Sequence, residues 1–141
     1  MIADGRVAVE DPGAAALRRY LPVLAVIAAP YAAMSSGQDP LNPLDRVAEW
    51  DVMRAALRDA TARAGAGAAP LALVRLNPPT SQQLAAALSH GGPDAYRVVH
   101  FVCYGERDML YLEDENGHES YAVAEYVANV FKPGGALVAI F

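Results

Sequence analysis

One cysteine, Cys103, and one lysine, Lys132, are all that a chain of 141 residues has of those two side chains. A single thiol closes no internal disulfide, which fits a reducing compartment and a cytoplasmic protein. The net charge is −5 and no Lys/Arg cluster occurs, so a nucleic-acid backbone or an anionic membrane finds no basic patch to hold. The most apolar run, LPVLAVIAAP, is too short to span a bilayer. The opening MIADGRVAVE lacks the basic and then apolar pattern of a signal peptide. His90, His100 and His118 are scattered, so no metal and no cofactor is expected. No glycine-rich phosphate cradle follows the first strand, and Ser35-Ser36-Gly37 reads as an ordinary loop. A receiver-type domain is excluded, because its acidic positions are held by Pro30-Tyr31 and Cys103-Tyr104.

What is present is apolar. Hydrophobic residues make up 54% and charged residues 19%, a balance that builds a packed core. The length suits one domain that buries roughly two-thirds of its unfolded surface. Residues 1–20 read as a leader or linker, with DPGAAALRRY able to form a short helix begun by Asp11 and Pro12. Leu21 to Ala29 is apolar at nearly every position and predicts a strand covered on both faces. A loop rich in Ser, Gly, Asp and Pro follows, from Pro30 to Pro43. Asp45 is the expected N-cap of a helix from about Leu44 to Arg63, with Val47, Trp50, Met53, Leu57 and Ala60 at helical spacing. Leu71 to Leu76 is a second strand, and Thr80-Ser-Gln-Gln83 is a capping box opening a helix to about Ser89. Tyr96 to Cys103 is a third strand. A hairpin follows, with Leu110 and Leu112 alternating with polar positions and Asn116-Gly117 as a two-residue turn. Tyr121 to Phe131 predicts a helix broken by Lys132-Pro-Gly-Gly, and Ala136 to Phe141 a fourth strand.

This alternation predicts an α/β fold: a three-layer αβα sandwich with a mainly parallel sheet and a small β-hairpin after the third strand. Ligands in such sheets bind beyond the carboxyl ends of the strands. Pro30–Pro43, Asn77–Thr80 and Cys103–Asp108 converge there, so HFVCYGERD stands at the chemically interesting rim. Strand side chains alternate between faces, so His100 and Cys103, three apart, point to opposite sides unless a bulge intervenes. Cys103 therefore reads as a small buried apolar residue and His100 as a core histidine. Glu113-Asp114-Glu115 reads as a solvated hairpin tip.

The stretch YRVVHFVCYGERDMLYLEDENGHESYAVAEYVA resembles the CHAT domain, a caspase-like module of the clan CD cysteine peptidases, related to peptidase C14. In that family a strand ends in His-Phe-x-Gly-His-Gly. A hairpin of the type Leu-x-Leu-x-Asp-x-x-Gly follows, then a helix, then a strand that delivers the catalytic cysteine. Here the strand end is His100-Phe-Val-Cys-Tyr-Gly105 and the hairpin Leu110-Tyr-Leu-Glu-Asp-Glu-Asn-Gly117. NPLDRVAEWDVMRAAL is similar to the family's first helix and LVRLNPPTSQQLAAAL to its second strand and helix, so the resemblance runs in order from Leu21 to Phe141.

The resemblance implies a caspase-like sheet of flavodoxin-like topology. It places Tyr104 where the family has its catalytic histidine and Cys103 where it has a glycine. Gly105 matches the glycine whose N–H serves the oxyanion hole. The nucleophilic cysteine is due at the end of the strand Ala136 to Phe141, and the sequence stops before supplying one. Caspase-type chemistry needs a thiolate, a proton-handling histidine and oxyanion donors, and a tyrosine of ordinary pKa near 10 is a poor proton shuttle. The expectation is a pseudo-protease: a catalytically inactive binding or regulatory module. Tyr31, Ser35, Cys103, Tyr104 and Arg107 would form its cleft. Its partner would be a protein or peptide segment, and the strand at 135–141 an edge for self-association. Two other readings stay open: part of an active peptidase whose nucleophile lies beyond Phe141, and a flavodoxin-like domain binding a small ligand at Pro30 to Pro43.

Overall fold

An uninterrupted apolar strand needs cover on both faces, and the strand Leu21–Ile27 has it from Val23 onward, while Leu21 is exposed. The elements run β1 (Arg6–Val7), β2 (Leu21–Ile27), α1 (Arg46–Ala64), β3 (Leu71–Arg75), α2 (Ser81–Leu88), β4 (Val98–Val102), β5 (Gly105–Glu106), β6 (Met109–Glu113), β7 (Glu119–Val123), α3 (Ala124–Gly134) and β8 (Val138–Ile140). The computed structural model describes residues 6–7, 20–30, 44–89, 95–134 and 138–140. Five strands form one sheet in the order β1-β3-β2-β4-β8, and β5-β6-β7 form a second. In the first sheet β3, β2, β4 and β8 are parallel, with Val23 beside Leu73 and Val98, and β1 is antiparallel to β3. Arg6–Val7, inside the stretch read as leader or linker, thus pairs at the sheet edge.

Alternate residues of β2 enter two separate cores. Val23, Ala25 and Ile27 pack with Leu73 and with Met53 of α1, flanked by Trp50 and Leu57. Leu24, Val26 and Ala28 pack with Leu84 and Leu88 of α2, Val127 of α3, and Leu112 and Ala122 of the small sheet. Asp45 caps α1, accepting from the N–H groups of Val47 and Ala48 at 3.0 and 3.1 Å. The inward stripe of α1 is narrower than its apolar pattern implies. Val47 is 66% exposed. It stands about 120° around the helix from Met53, whereas Arg46, two turns before Met53, takes the inward position. Ala60 is exposed as well. Thr80 caps α2 through Gln83 N–H, and the Tyr126 hydroxyl of α3 donates to Ser81 O at 2.9 Å, joining the two helices.

The segment after β4 is a three-stranded antiparallel sheet, not a lone hairpin. Gly105–Glu106 adds a short third strand to β6. Tyr121 to Val123, expected to start a helix, pairs instead with Met109 to Tyr111, and α3 begins at Ala124. Both states suit those apolar residues, and the cross-strand partners decide. The helix also runs on through Pro133, into the expected break. The β6–β7 turn is longer than two residues: Asp114 N–H donates to His118 O at 2.8 Å, leaving Glu115, Asn116 and Gly117 as a three-residue loop. Gly117 takes φ 81°, the left-handed position such loops require.

Asp114 closes this loop, its carboxylate accepting from His118 N–H at 2.9 Å and Asn116 N–H at 2.8 Å. Those bonds, the one from His118 foremost, hold the carboxyl below its ordinary value. The folded state therefore binds fewer protons than the unfolded chain. The stabilisation is full above the ordinary Asp value near 3.9 and fades as pH falls through the lower folded value. Asp114→Ala is expected to melt below wild type at pH 7, with the gap narrowing as pH falls below the ordinary Asp value near 3.9. A gap that stays constant across thermal melts from pH 7 to pH 3 would contradict this.

Candidate functional site

The carboxyl ends of the parallel strands are brought level by register. Ile27 lies beside Val102, Ala28 N–H donates to Val102 O at 3.0 Å, and Leu76 N–H donates to Ala25 O at 2.9 Å. From this rim β4 continues into Cys103 and Tyr104 and then into β5. Strand β4 is regular, without a bulge between Val98 and Val102. Val98 and Val102 pack on the α1 side, Phe101 and Cys103 on the α2–α3 side. His100 alternates with Cys103 across the strand, so no base from β4 faces the thiol.

Burial raises the Cys103 thiol to about 11. At pH 7.5 only about one molecule in three thousand then carries the thiolate, the nucleophilic form. Iodoacetamide labelling of Cys103 is expected to be far slower than that of free cysteine near neutrality and to climb about tenfold per pH unit up to pH 10. A rate that levels off below pH 9 would refute a buried, unactivated thiol.

Tyr104 is half-buried, and its carbonyl accepts from Tyr111 N–H at 2.9 Å. In an antiparallel ladder such bonds alternate, so the next pair, Gly105 with Leu110, is the non-bonded kind, and Gly105 N–H points away from β6. Glycine fits there with least crowding: a Cβ would stand 3.2 Å from Met109 O and 3.4 Å from Leu110 Cδ2, tight contacts that need a small shift. Arg107 and Asp108, both exposed, form the β5–β6 turn, with Asp108 at φ 65°. The carbonyl of Asp108 accepts from Ala124 N–H at 2.9 Å and so sets the start of α3. Of the expected cleft residues, Cys103, Tyr104 and Arg107 lie in sequence along this rim, while Tyr31 and Ser35 lie outside the described residues. So does the loop 31–43 proposed for a small ligand.

One rim residue runs against expectation. Glu113 is no solvated tip: it is 4% exposed. Its carboxylate accepts from Ala29 N–H at 2.9 Å and pairs with the Arg46 guanidinium at 2.9 Å. Arg46 also donates to Ala29 O at 2.6 Å, and Glu113 N–H donates to Pro79 O at 3.1 Å. Through its carboxylate Glu113 ties the end of β2 and the first turn of α1 to the small sheet, and through its N–H the loop before α2. A run of three acids looks solvated by composition. Only the inward placing of Arg46 on α1 could have pointed to a buried partner.

Among the described residues no group of three or more His, Cys, Asp or Glu side chains is placed to hold a metal ion, and no helix is long and apolar enough to cross a membrane. In comparisons with known proteins, no family model matches the chain and no curated protein matches it.

Proposed function

We propose that the chain is a degenerate caspase-like domain of the CHAT type, a three-layer αβα sandwich that has lost peptidase chemistry and works as a binding or regulatory module. The observation that carries the reading is the end of β4. There Tyr104 takes the family's histidine position, beside a partly buried thiol near pKa 11 and a Gly105 N–H that points away from β6. The mixed sheet supports it, with α1 packed on one side and α2 and α3 on the other, and so does the antiparallel insertion that follows β4. A backbone donor without a base or thiolate can hold a carbonyl but cannot start acyl transfer. In this reading Tyr104 and Arg107 contact a protein or peptide segment, and the strand at 138–140, paired with β4 alone among the described residues, offers an edge to it or to a second copy.

The test is covalent labelling. The chain, together with any sequence that follows Phe141 in its parent, is treated with peptidyl thiol-reactive probes and weighed intact, with Tyr104→His alongside. Wild type is expected to stay unlabelled. Adducts on wild-type protein would mean a working nucleophile and would overturn the inactive reading. Labelling confined to Tyr104→His would identify that replacement as what silences the site.

A further inference from the structure

Helix α3 carries two alanines one turn apart, Ala124 and Ala128, toward the β5–β6 hairpin. Their small side chains leave an open groove of about 430 Å³ between Met109 and Leu110 on one wall and Val127 and Phe131 on the other. Two acidic residues, Glu106 and Asp108, complete its lining, and among the described residues no cationic one does. Arg107, between them in the chain, is not part of the lining, and the Lys132 ammonium is bonded to Asn129 Oδ1 at 2.8 Å. Glu106 beside the Tyr111 hydroxyl pushes that phenol up to about 12. The backbone of Asp108 is fixed by its carbonyl, which accepts from Ala124 N–H.

We propose that this groove docks a short segment of another protein presenting one or two bulky apolar side chains flanked by arginine or lysine. The apolar walls take the bulky side chains, and Glu106 and Asp108 receive the cation at the hairpin end. A small molecule is the poorer fit, because pockets for such ligands enclose most of the ligand surface and this groove is open. The inference stands apart from the caspase-like reading: it rests on α3 and the hairpin, and it survives if Tyr104 proves irrelevant.

Three fluorescein-labelled peptides test it on the full chain by anisotropy: Arg-Phe-Leu-Arg, Glu-Phe-Leu-Glu and Arg-Ser-Ser-Arg, each within Gly-Ser flanks. Only the first is expected to bind, and more weakly as salt rises. Ala128→Trp, which fills the groove from an exposed position, should weaken binding roughly tenfold or more with little change in thermal melting. Ala128→Lys should do the same with helix propensity kept. Glu106→Gln with Asp108→Asn should weaken binding mainly at low salt. The proposal fails if no peptide binds, if the acidic peptide binds equally, or if both Ala128 variants bind like wild type. It fails also if sedimentation shows a dimer that Ala128→Trp disperses, which would make a second copy the occupant.

Discussion

Glu113→Ala is expected to lower stability by about 3 kcal/mol, from the cost of breaking a buried ion pair. The Glu113 side chain is 5% accessible and that of Arg46 32%, so the pair lies at the boundary of the core, not in open solvent. Removing the carboxylate leaves Ala29 N–H without its acceptor and takes from Arg46 its ion pair with Glu113. For a domain of this size the loss corresponds to a drop in melting temperature of roughly 10 °C. Arg46→Met should cost a comparable amount, because it leaves the more buried partner unpaired. The double variant should cost clearly less than the sum of the two, since both changes remove the same interaction. Denaturant titrations of all four proteins check this. A Glu113→Ala midpoint near wild type, or simple addition in the double variant, would show that the pair does not brace the rim.

Leu112→Ala should be as costly, about 3 kcal/mol with a usual range of 2–5. Leu112 has no exposed surface and sits in the core shared by β2, β4, α2 and α3, although it belongs to the small sheet. Its truncation leaves a cavity bounded by elements that the large sheet fixes in place, so collapse is limited. Leu110→Ala, at a partly buried position of the same strand, is expected to cost less. Were Leu112→Ala to cost under 1 kcal/mol, the small sheet would be an appendage and not a structural part of the rim.

The regular elements were legible where local chemistry and burial agree. Leu21 to Ile27 is apolar throughout because helices lie over both faces, and Asp45 marks the start of α1 by its cap. Leu110 and Leu112, two apart in β6, face the same core, as their spacing predicts. Legibility failed where a distant partner decides. Tyr121 to Val123 suits a helix until Met109 to Tyr111 is beside it. Arg6–Val7 is too short to carry a strand pattern and gains its conformation from Leu73 and Val74. Within the site, the opposite placement of His100 and Cys103 follows from strand alternation alone, but Glu113 becomes a rim residue only through Arg46 and Ala29, the latter 84 residues away.

The order of strands in the large sheet also bears on how the protein is made. Strand β2 lies between β3 and β4, and both come later in the chain. A ribosome working from the N-terminus releases LPVLAVI long before Val102 exists to flank Ile27. At ordinary synthesis rates of ~5–20 residues per second the delay amounts to several seconds, far longer than hydrophobic collapse takes. For that interval the nascent chain displays a bare apolar ribbon open to mispairing with its neighbours on the same message, and chaperone capture has its natural target there. The middle strand of the sheet is synthesised before both of the strands that flank it.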